Sequence, residues 1–98
     1  MAGSIITLAD ASKMTATFRK NYPSETTGVM YSDDVFTDIL SQSGCVGIRI
    51  YNGMDDNGNL TNVLVGVDIN GNDLVEGKIY EYGARCPPKC SANNPLNT

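Results

Sequence analysis

The chain has 98 residues, 41% of them hydrophobic and 18% charged, which gives room for one modest core in an ordinary folded domain rather than a disordered chain. Seven basic residues stand against eleven acidic ones, for a net charge of −4. With no basic run to offset that balance, neither nucleic acid nor an anionic membrane is an expected partner. Histidine is absent, which removes Ser–His and Cys–His nucleophilic catalysis and imidazole zinc sites, so an enzymatic role is not expected.

The amino terminus, MAGSIIT, has neither the charged lead nor the apolar stretch of a signal peptide. No apolar run approaches the roughly 18 residues of a spanning helix. Both point to a cytoplasmic protein whose first six residues are flexible.

From Thr7 the pattern becomes helical. Thr7 is a capping residue, with Asp10 three places on in the position of the capping-box acid. Leu8, Ala11, Thr15, Phe18 and Tyr22 recur at steps of three and four, and Met14 widens the stripe. Arg19 and Lys20 suit the carboxyl end of the helix dipole, and Pro23 stops the helix near Asn21. Ser32 opens a second helix, with Asp33 and Asp34 where the dipole favours negative charge. Its apolar face is Val35, Phe36, Ile39 and Leu40, and Ser43-Gly44 is its expected end.

After Gly44 the period changes to two. Cys45–Tyr51 puts Val46, Ile48 and Ile50 on one face and Cys45, Arg49 and Tyr51 on the other. Leu60–Val67 alternates through Val63, Val65 and Val67, leaving Leu64 opposite. A third run covers Leu74–Tyr82. The turns between them share D-x-N-G-N, at Asp55–Asn59 and Asp68–Asn72. Asn-Gly between alternating segments predicts type I′ hairpins. The same residues begin a calcium loop, but the glycine stands at the fourth place instead of the sixth, and the twelfth positions are Gly66 and Ile79 rather than glutamate. The expectation is therefore turns, in a three-stranded antiparallel meander.

Residues 83–98, with their three prolines, read as an irregular tail. Within it stands Cys86-Pro-Pro-Lys-Cys90. The spacer is one residue too long for a thioredoxin-type pair, and the segment follows a strand instead of opening a helix. Three readings stay open. Cys86 and Cys90 are inert thiols in a stiff turn that pins the tail, they form a disulfide, or they join Cys45 in an incomplete metal or redox site.

The run CVGIRIY, then VLVGVD, and the ending CPPKC with NPLN resemble a group of short, uncharacterised bacterial proteins. The likeness implies a stand-alone bacterial domain and carries no activity, cofactor or site residue with it.

The expected architecture is a single α+β domain over residues 1–98. Two amino-terminal helices pack on one face of a three-stranded meander. Its core is Leu8, Ala11, Met14, Phe18, Phe36, Ile39, Leu40, Val46, Ile48, Ile50, Val63, Val65, Val67 and Ile79. The other sheet face would carry Arg49, Tyr51, Leu64, Glu76, Lys78, Tyr80 and Tyr82, a mixture suited to an interface because tyrosine and arginine join large contact area to a polar handle. The expected function is a non-enzymatic binding or assembly module, self-associating through that face or taking a protein partner, with no cofactor. The alternatives are a small anionic-ligand binder using Arg49 and Lys78, and a cysteine-centred metal or redox protein.

Overall fold

A computed structural model describes residues 2–98, and the chain forms two compact units. One comprises residues up to Gly28 together with Arg85–Thr98; the other is Val29–Ala84. A two-stranded sheet of β1 (Gly28–Met30) and β5 (Ala84–Cys86) is made by the stretches at which the chain passes from one unit to the other.

The first unit is built on α1 (Leu8–Asn21). Its start follows from the sequence: the Thr7 hydroxyl accepts the Asp10 amide at 3.1 Å, filling one of the four donors a helix start leaves unpaired. The Tyr22 amide closes the helix on the Phe18 carbonyl at 2.8 Å, just before Pro23. The expected apolar stripe is not a core, however. No residue of α1 is buried, and Leu8 and Met14 are 57% and 64% exposed. Along the stripe Phe18 stacks on Tyr22, with ring centroids 5.1 Å apart.

The carboxyl-terminal segment is more ordered than an irregular tail. The Arg19 guanidinium donates to the backbone oxygens of Leu96 and Thr98 at 2.7 and 2.9 Å. Asn94 and Asn97 bond back to Ser91 and Ala92. Cys86 and Cys90 are joined in a disulfide, with Cα atoms 4.7 Å apart. The loop they close is held by the Lys89 amide on the Arg85 carbonyl and by the Thr27 amide on the Cys86 carbonyl, at 2.8 and 2.7 Å.

The second unit contains α2 (Asp33–Leu40) and a sheet ordered β2 (Gly47–Met54), β3 (Leu60–Val67), β4 (Ile79–Tyr80). α2 packs against β2 and β3. Ser32 stands at its cap position but makes no side-chain bond there; Asp33 accepts the Asp34 amide at 2.9 Å instead. The helix ends at Ser41, ahead of Ser43-Gly44. Both sheet pairings are antiparallel, as expected of a meander, but the third strand is short. Asp73 pairs with Val67, Val75–Lys78 leave the ladder in a turn, and pairing resumes only at Ile79 and Tyr80.

The two hairpin loops are alike, and neither is type I′. In each, the aspartate amide donates to the Asn carbonyl four residues on at 2.9 Å, and the glycine amide donates to the aspartate carbonyl at 3.0 Å. The carboxylates of Asp55 and Asp68 accept the amides two and four residues on. Gly58 and Gly71 take positive φ, +80° and +83°, whereas Asn57 and Asn70 do not. A type I′ turn requires both central residues there.

This loop geometry reassigns the faces of the sheet. A two-residue Asn57-Gly58 turn would place Ile50 opposite Val65. The observed loop places it opposite Leu64, and Arg49 opposite Val65. One residue of shift moves a whole strand's side chains to the other face. Ile48, Ile50, Leu64 and Tyr80 therefore share one face, and Arg49, Tyr51, Val63, Val65, Val67 and Ile79 share the other.

The buried hydrophobic core among the described residues is correspondingly small: Ile39, Leu64 and Val65. Ile39 and Val65 are buried as the sequence predicts, but Val65 lies on the face of Arg49 and Tyr51 rather than with Ile48 and Ile50, and Leu64, expected on the outer face, is buried on the other. Several other expected core residues are at the surface, among them Phe36, Leu40, Val46, Ile50 and Ile79. The architecture is thus mixed helix and antiparallel sheet, in two sheets rather than one. α1 belongs to a different unit from the three-stranded sheet, and only α2 shares a unit with that sheet.

Candidate interaction surface on the sheet

The residues singled out in the sequence fall into two groups on opposite faces of the sheet. On the first face, α2 sends its polar side toward β4. Asp38 accepts hydrogen bonds from Lys78 Nζ, at 2.6 Å, and from the Tyr80 hydroxyl. Both bonds hold the Asp38 carboxyl below the usual range, the one from Lys78 most strongly. Gln42, just past the helix end, accepts the Lys78 amide at 2.8 Å and donates to the Ile39 carbonyl, also at 2.8 Å. Leu64 lies on this face, fully buried. Lys78, Tyr80 and Leu64 therefore fix the helix to the sheet, and Leu64 has no surface to offer a partner.

The second face carries no helix of its own unit. Here Arg49 forms an ion pair with Asp73, and Tyr51 donates its hydroxyl to the other Asp73 oxygen. Arg49 also reaches the Gly71 carbonyl at 3.2 Å. The hydrogen bond from Tyr51, reinforced by Arg49, holds the Asp73 carboxyl low, and the same bond to Asp73 raises the Tyr51 hydroxyl. Asp73 reaches this position because it pairs with Val67 at the end of the second hairpin. Between Arg49 and Ile79, its cross-strand neighbours, Val65 is 3% exposed. Tyr51 and Ile79 remain about half exposed, at 47% and 53%.

Asp38 and Asp73 were not singled out as site residues in the sequence, and each proves to be the centre of a cluster. Their signal was available only in part. Asp38 sits where a helical aspartate can reach the sheet, but which lysine and tyrosine it meets depends on a register the sequence left open. Arg49 and Lys78, expected to cradle one anion, lie apart on different faces, each already engaged by a carboxylate. They form no joint anion site.

The cysteines are likewise separated by role. Cys45 is a free, half-buried thiol in the second unit, bonded to the Gly47 carbonyl at 3.2 Å. It packs so close to Gly66 that an added Cβ there would stand 2.9 Å from its sulfur. Cys86 and Cys90 are spent on each other in the first unit. Among the described residues, no group of three or more His, Cys, Asp or Glu side chains gathers as metal ligands would. No helix of the described residues is long and apolar enough to cross a membrane. Tyr82, just past β4, belongs to neither sheet-face cluster and is 84% exposed. Comparison of the chain with protein families, curated proteins and solved structures yields no match.

Proposed function

We propose that the chain is a non-enzymatic assembly module that pairs with a second copy of itself through the Arg49–Tyr51–Asp73 face of the sheet. The observation that carries this reading is the composition of that face. Val63 and Val67, half-buried, and the exposed Ile79 supply an apolar floor over the buried Val65, and a cation and a carboxylate stand side by side at its edge. A two-fold pairing presents the same patch from both copies, so it needs a patch complementary to itself. Arg49 of one copy can then meet Asp73 of the next, with the tyrosines between them supplying contact area.

The small core supports the same reading. Among the described residues, three buried hydrophobic side chains are few for a chain of this size, and surface-to-volume scaling makes small domains marginal when they stand alone. Covering Ile79 and Tyr51 would add apolar burial at about 25 cal/mol per Å². Lys78, Tyr80 and Leu64, on the opposite face, drop out of the interface, and Tyr82 is not required by it. A cytoplasmic location is part of the proposal. The interface lies in the other unit from the Cys86–Cys90 disulfide and does not depend on that bond.

A charge swap tests the pairing. Arg49→Glu makes the patch wholly acidic, and Asp73→Lys makes it wholly basic, so each variant alone should be monomeric. Mixed in equal amounts, they should form a heterodimer, because each patch then meets its opposite. Two variants that self-associate as the parent does, or a mixture that stays monomeric while the parent dimerises, would overturn the proposal.

A further inference from the structure

A cleft of about 240 Å³ in the second unit lies apart from this interface, lined by Met30, Tyr31, Val35, Tyr80, Glu81 and Tyr82 among others. Three tyrosines and a carboxylate around one small cleft are an unusual lining for a domain with so few aromatic residues. The hydroxyls of two of them are already committed, Tyr31 to the Asn62 carbonyl at 3.0 Å and Tyr80 to Asp38. What Tyr31 and Tyr80 can offer a guest is therefore their rings. Glu81 makes no ion pair among the described residues, and its charge reaches Tyr31 closely enough to help burial raise that hydroxyl.

The third tyrosine is held at a conformational cost. Tyr82 has φ +63°, the one non-glycine residue with positive φ among the described residues, although the residue is 84% exposed. Burial of the ring is therefore not what stabilises this backbone. A bulky L-residue rarely adopts that region, and such strain concentrates where function requires a side chain to be presented in a given direction. The next residue shows why the backbone has little freedom. A Cβ added at Gly83 would lie 2.8 Å from Tyr31 Cζ and closer still to Val29, so the chain presses directly against the wall of the cleft.

The field around the cleft has one sign. The second unit holds nine acidic side chains against Arg49 and Lys78, a net charge of −7. Both of those cations are paired with aspartates, Asp73 and Asp38. Tyrosine faces attract cations through the ring quadrupole, and a negative surface raises their local concentration.

We propose that this cleft binds a small organic cation of the alkylammonium or guanidinium type, held by the rings of Tyr31, Tyr80 and Tyr82 with Glu81 as counter-charge. The same chemistry is offered by a free amine and by a lysine or arginine side chain of another protein. Calorimetric titration with choline, beside its uncharged carbon analogue 3,3-dimethylbutan-1-ol, separates cation recognition from apolar filling. Choline should bind at least about tenfold more tightly than the analogue, and Glu81→Gln should weaken it. Tyr82→Gly should raise the thermal midpoint, because glycine relieves the positive φ, yet reduce choline affinity about tenfold. Titration with a short lysine peptide then distinguishes the sources: tighter binding than choline marks a protein side chain, weaker binding a free amine. Equal binding of choline and the neutral analogue, no binding of either, or Tyr82→Gly binding choline as the parent does would each overturn the assignment.

Discussion

Replacing Leu64 with Ala probes the reassigned face of the sheet most sharply, because the sequence pattern alone puts this residue outside. Leu64 is fully buried on the central strand, flanked across the sheet by Ile50 and Tyr80, on the face against which α2 packs. Removing three carbon atoms from such a site loses their transfer free energy and leaves a cavity, together about 3–4 kcal/mol. With a urea dependence of about 1–1.5 kcal/mol per molar for a small protein, the unfolding midpoint should fall by about 2–4 M. For a chain this size, that is a large share of a total stability of about 5–15 kcal/mol. Ile50→Ala is the control on the same face: at 58% exposure it should cost less than about 1 kcal/mol. Urea titrations followed by far-ultraviolet circular dichroism, at high dilution so that association does not contribute, give both values. A Leu64→Ala midpoint unchanged within error, or a larger loss for Ile50→Ala, would show that the strands pair one residue out of the register described.

The hairpin loop allows a second check: Gly71→Ala should cost about 1 kcal/mol, because a Cβ opposes φ +83° although nothing crowds the site. Asn70→Ala should leave the thermal midpoint unchanged, and Asp68→Ala should lower it by releasing the amides of Asn70 and Asn72. Asp38 and Asp73 both have depressed folded-state pKa values, so their stabilisation is present above the ordinary carboxylate value near 3.8 and lost as pH falls through the lower folded values. Acid titration of Asp38→Asn should accordingly show a shallower loss of stability than the parent in that window, and an equally steep one would contradict the bonding at Asp38. Changing Cys86 and Cys90 together to Ser should loosen the carboxyl-terminal segment, seen as faster amide exchange at Lys89, while leaving the oligomeric state as it was.

Much of the local structure was legible, because local rules decided it. The Thr7 cap, the stop before Pro23 and the short helix after Ser32 each depend on residues within one turn of the chain, and the helices lie where those residues put them. The two Asn-Gly turns were correctly placed as well. Their type was not, and the faces of the sheet followed the type. Asp55 and Asp68 each gather two backbone amides on one carboxylate, which stabilises a longer loop with glycine alone at positive φ. In the sequence Asn-Gly outweighs that aspartate signal and puts Arg49 on the face of Leu64 and Tyr80, whereas the strands put it on the other. The third strand failed for a related reason. Glu76-Gly77 breaks an alternating run, and Gln42 fills the space beside Gly77 so closely that a side chain there would clash. Nothing near position 77 in the sequence announces a glutamine from the end of α2. The stripe of α1 shows a further limit: helical spacing shows which residues share a side, but not whether anything covers them.

Self-association is assigned to the face that holds Arg49, Tyr51 and Asp73. Sedimentation equilibrium of the parent chain and of Tyr51→Glu, over a range of protein concentrations, addresses it directly. The parent should fit a monomer–dimer equilibrium. Tyr51→Glu, which places an unpaired carboxylate beside Asp73 in a contact that must be desolvated, should remain monomeric with an unchanged circular dichroism spectrum. A parent chain that stays monomeric throughout, or a Tyr51→Glu variant that dimerises equally well, would contradict the account.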